Sequence, residues 1–189
     1  MEKLGVHKRD IMVDRVVAAR DAQSEAKEQF LTAMEQFKGV VAFQGGDLER
    51  EYHRLDATLR QSEASAAAVR ERIGAVEDVS EALFSEWEAE LGQYSSDALR
   101  QASQRKYDAT KRKYTQLLAA MKRAEARLEP VLVPLRDQVL FMKHNRNARA
   151  IAGLGEEVVS VQANVDKLVR EMESAITQAD AFIAELQAE

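Results

Sequence analysis

One stretch, from Asp47 to Leu91, restricts the chain more than any other. Leu48, Tyr52, Leu55, Leu59, Ser62, Ala66, Val69, Ile73, Val76, Ser80, Leu83 and Trp87 recur at alternating spacings of four and three, and all but the two serines are apolar or aromatic. Such an a/d pattern is the seam of a long helix packing on partner helices. A helix of this length far exceeds the usual three turns and needs neighbours along its whole extent. The chain is therefore expected to be all-α, an elongated antiparallel four-helix bundle or coiled coil with a long projecting helical hairpin.

The remaining seams supply those neighbours. Val13, Val16, Ala19, Ala26, Phe30, Ala33, Phe37 and Val40 form one stripe, interrupted by Gln23. It predicts a first helix over about 10–43, capped by Asp10 and closed by the Gln44-Gly45-Gly46 turn. Asp47 caps the second helix, 47–92, and the all-small run from Ala64 to Ala68 suggests close helix approach. Ser95 or Ser96 caps a third helix over 97–150, whose stripe runs Leu99, Ser103, Tyr107, Thr110, Tyr114, Leu117, Met121, Ala124, Leu128. Pro130 and Pro134 remove two backbone donors one turn apart, so a kink is expected there. Val158, Val161, Val165, Leu168, Met172, Ala175, Ala179, Phe182 and Leu186 give a fourth helix over 155–188. The whole chain, 1–189, reads as one helical domain.

Charge is segregated along this path. Residues 47–93 hold 5 basic and 12 acidic side chains, and residues 97–149 hold 13 basic and 5 acidic. In a hairpin the acidic far half of the second helix and the basic start of the third lie side by side, which favours one register. The net charge of −5 argues against a nucleic-acid binder. Tyr107 and Tyr114 within the basic block resemble stacking platforms, but both fall on the seam and read as core.

No catalytic constellation emerges. His7, His53 and His144 lack metal-ligand spacing, there is no cysteine, and Gly45-Gly46 is not a phosphate loop. No apolar run approaches the roughly 20 residues that span a bilayer. The expectation is a non-enzymatic structural or interaction protein without cofactor, a scaffold or adaptor that binds a protein partner or a second copy of itself. The alternative is a peripheral membrane-binding or membrane-shaping module using the basic third helix on an anionic surface. Two places stand out as candidate interaction surface. Phe84 and Trp87 are large rings near the hairpin tip, where a shorter first helix leaves fewer neighbours. Lys143, His144, Asn145 and Arg146 crowd polar residues where helix formers are expected, marking an irregularity.

Four blocks carry a family resemblance: 1–11 (MEKLGVHKRDI), 43–48 (FQGGDL), 81–88 (EALFSEWE) and 137–145 (DQVLFMKHN). They resemble an uncharacterised proteobacterial domain-of-unknown-function family of exported, coiled-coil-rich helical proteins (DUF2959-like). The resemblance spans the chain and brings no assigned activity or site residues. It implies that Met1 follows a removed export or lipoprotein signal, and hence a periplasmic or membrane-associated protein.

Overall fold

The computed structural model describes residues 2–43 and 46–188. Its elements are α1 (Glu2–Val41), α2 (Leu48–Leu91), α3 (Asp97–Ala126), α4 (Leu128–His144), α5 (Ala148–Ala152) and α6 (Gly155–Gln187), with no strand among the described residues. The protein is an all-α bundle. The α2 seam is buried from Tyr52 to Trp87, with Leu48 half-buried against the same core. At about 1.5 Å per residue, this 44-residue helix is about 66 Å long.

Both ends of α2 follow local chemistry. The Asp47 carboxylate accepts from the Arg50 amide at 3.0 Å. Before it, Gly46 has φ of 86°, a left-handed conformation that costs glycine little; Gln44 and Gly45 of the expected turn lie outside the described residues. At the other end Ser96 Oγ accepts from the Leu99 amide and opens α3. Late residues of α1 meet early residues of α2, where Gln36 bonds Thr58 and Gln29 reaches Ser62, and early α1 meets late α2, where Lys8 pairs with Glu86.

Two boundaries differ from the pattern. The first helix begins at Glu2 rather than at Asp10. Lys8 pairs with Glu86, Arg9 lies 5.0 Å over the Trp87 ring, and Met12 is fully buried, so the early turns are held against the end of α2. The expected 97–150 helix is divided instead into α3, α4 and α5, with the first break at Arg127. A proline ring clashes with the carbonyl four residues earlier. For Pro130 that residue is Ala126, where α3 stops. Pro134 stays inside α4 and gives Pro130 no amide donor; Asn164 Nδ2 of α6 reaches the Pro130 carbonyl instead, at 3.4 Å.

Cross-helix ion pairs align the middle of the bundle. Arg20–Asp180 at 2.9 Å and Lys27–Glu173 at 3.8 Å align α1 with α6, and Arg123–Glu171 at 3.6 Å aligns α3 with it. Many small residues line the core along this stretch: Ala19, Ala22 and Ala26 of α1, Ala120 and Ala124 of α3, and Ala175 and Ala179 of α6 are all buried, beside larger residues such as Ile73 and Met121. Small side chains let backbones approach closely, and Ala66 of the Ala64–Ala68 run is likewise fully buried. Gln23 is fully buried along the same stretch, and neither of its amide atoms has a hydrogen-bond partner in the protein.

Candidate interaction surface

The α2–α3 tip is an aromatic cluster held by its own helices. Tyr107 of α3 packs perpendicular to Phe84 and Trp87 at centroid distances of 5.6 and 5.5 Å, and Tyr114 tilts onto Phe84 at 5.4 Å. Trp87 Nε1 donates to Ser103 Oγ at 3.0 Å, which satisfies the indole as it is buried. Arg9 covers the remaining ring face. Phe84 and Trp87 are consequently 5% and 8% exposed. Within the chain these two candidate residues are covered by α3 and by the early turns of α1, which the sequence pattern did not anticipate. Burial also raises the Tyr114 phenol above its ordinary range.

An overhang exists at this tip, though not past α1. Lys113 pairs with Glu185, close to the end of α6, while α3 begins at Asp97. The first turns of α3 therefore extend beyond α6. Leu99 occupies a seam position there and is 60% exposed, and Tyr94 in the turn is 42% exposed. Leu99 was legible as part of the stripe; its exposure depends on where α6 ends, which no local pattern encodes.

The basic third helix pairs part of its charge with neighbouring helices on the bundle surface. Lys122 pairs with Glu77, Arg123 with Glu171 and Lys113 with Glu185, while Lys111 donates to the Tyr107 hydroxyl at 3.0 Å. The pairing is distributed differently from the simple hairpin expectation, because Glu86 goes to Lys8 of α1 and Lys113 to α6. In α4, Arg136 bonds Glu63 and Glu129, and Arg70 also bonds Glu129. Arg136 foremost, then Arg70, holds the Glu129 carboxyl below its ordinary range.

The opposite end of the bundle contains the second candidate group. Asn145 Nδ2 and its backbone amide both bond the Phe141 carbonyl, at 3.0 and 3.1 Å, and Asn147 Oδ1 accepts from the Ala150 amide to start α5. These asparagines make the irregularity seen in the pattern. Arg146 lies 4.5 Å over Tyr52 and bonds Glu49 at 3.0 Å, so it ties the turn to α2. Lys143 and His144 are exposed. Beside them Leu140 is 59% and Phe141 39% exposed, an apolar pair absent from the candidate residues because it lies off the seam. Among the described residues there is no group of three metal-ligating side chains, and no helix is long and apolar enough to cross a membrane.

Fold and surface together define a class: an all-α bundle with ion-paired flanks and exposed apolar side chains at both ends. Within that class, the chain belongs to the family described as "Protein of unknown function (DUF2959)", matched over residues 1–186. No curated protein matches it.

Proposed function

We propose that this protein is a non-enzymatic scaffold or adaptor of the bacterial cell envelope that engages a protein partner through the α2–α3 tip. The observation that supports this is Leu99. It continues the α3 seam, yet lies past α6 and is 60% exposed, beside Tyr94. An apolar position at seam spacing without its neighbour suits a helix supplied by another chain. The envelope location draws on the four resembling sequence blocks, not on the fold.

A photo-crosslinking residue at Leu99, compared with one at Arg60 on the exposed flank of α2, tests the role in cells. The expected result is a discrete protein adduct in the envelope fraction from position 99 and none from position 60. Fractionation of the protein with the cytosol, or equal adducts from both positions, would overturn it.

A further inference from the structure

We infer that the C-terminal end of α4, with the turn into α5, docks on an anionic phospholipid surface. This goes beyond the partner role above, and it uses the opposite end of the molecule. The buried row of α4 is Leu128, Val131, Leu132, Leu135, Val139 and Met142. Helical spacing places Val133, Leu140, Phe141 and His144 on the other side, where Leu140 and Phe141 are 59% and 39% exposed. The adjoining segment is basic: residues 138–155 contain Lys143, Arg146 and Arg149 and no carboxylate. Lys143 and Arg149 make no ion pair among the described residues, whereas Arg146 is occupied by Glu49 and Tyr52.

The surrounding acids are few, and one of them, the exposed Asp137, shares the face of Leu140 and Phe141. Asp137 lies about one turn back along α4, Glu49 is engaged by Arg146 and faces His53, and Glu156 and Glu157 begin α6 beyond the turn. Exposed Leu and Phe beside unpaired Lys and Arg match an interface where rings and aliphatic chains enter the acyl boundary and cations meet phosphate. The size of the patch separates this occupant from a second copy. A stable dimer buries roughly 800 Å² on each partner, with about 20 residues a side. Three apolar side chains on one 17-residue helix fall well short of that, while shallow insertion needs only a few.

Flotation of the purified chain with phosphatidylglycerol–phosphatidylethanolamine vesicles, against pure phosphatidylcholine vesicles, tests the assignment. Binding to the anionic vesicles alone, weakened by salt, is expected. Lys143→Glu with Arg149→Glu should lower it by more than ten-fold, given about five-fold for each basic residue at such a surface. Leu140→Asp with Phe141→Asp should abolish it. Val159→Asp, which alters a 72% exposed apolar residue on α6, should leave it unchanged. Circular dichroism and melting temperature accompany each variant, and the charge pair, at exposed positions, keeps the test decisive if the apolar pair fails to fold. Absence of flotation, or flotation indifferent to both pairs, overturns the inference. A concentration-dependent mass lost in Leu140→Asp, without flotation of the parent protein, would assign the patch to a second copy instead.

Discussion

The two ends of the bundle use the same device to opposite effect. At the hairpin tip Arg9 lies over Trp87, and at the other end Arg146 lies over Tyr52. The first contact completes the cover on four aromatic rings that sit at or beside seam positions. The second secures a turn, yet leaves Leu140 and Phe141 outside the core because they lie off the seam of α4. An arginine thus closes one end by shielding an indole and ties the other without hiding its apolar residues. Large rings near a helix end are not by themselves a contact surface; what matters is which residues reach them from elsewhere in the chain.

Truncation at each end gives the largest expected contrast. Trp87→Ala should cost about 3–5 kcal/mol in urea unfolding, because it empties a packed site and leaves Ser103 without its donor. Phe141→Ala should stay within about 0.5 kcal/mol. Similar losses from the two variants would break the distinction between a closed and an open end. Gln23→Leu tests the middle of the bundle between them. It removes a buried amide without a partner and should stabilise by about 1–3 kcal/mol in the same assay. Destabilisation would mean that the amide is satisfied in solution.

Arg9→Gln sharpens the account of the tip. Losing the cation from the ring face should cost about 0.5–2 kcal/mol, with a red shift of the Trp87 emission. No change in either would detach the start of α1 from the cluster.

The smallest effect concerns the flank. Arg136 and Arg70 lower the Glu129 carboxyl, so its contribution is present above the unfolded carboxylate range. It is lost as pH falls through the lowered folded value. The Glu129 side chain is half exposed, so screening limits the contribution to about 0.2–1 kcal/mol. The stability difference between the parent and Glu129→Gln should shrink on acidification and be flat near neutrality; growth toward acid would reverse the assignment.

Much of this fold was legible because burial on a long helix repeats every three to four residues. The α2 seam from Tyr52 to Trp87 is buried as its spacing implies, Asp47 and Ser96 cap where expected, and the asparagines of 145–147 mark a real interruption. What escaped depended on distant partners. Lys8 and Arg9 look like a polar lead-in until Glu86 and Trp87, far along the chain, meet them. Pro130 signals a break but acts on Ala126, one turn earlier. Leu99 satisfies the pattern and is still exposed, since a seam residue is buried only where another helix reaches it. Of the candidate surface, the polar turn at 143–146 was visible as an irregularity. Leu140 and Phe141 were not, because single off-seam apolar residues are ordinary on helix surfaces.

Trp87 is the only tryptophan in the chain, so its own emission reports on the closed end. Iodide quenching of Trp87 in the parent protein, set against quenching of the residue introduced by Phe141→Trp in a Trp87→Phe background, compares the two ends in one assay. The account predicts blue-shifted, weakly quenched emission from position 87 and strongly quenched emission from position 141. Equal quenching, or a Trp87 more accessible than the residue at 141, would contradict it.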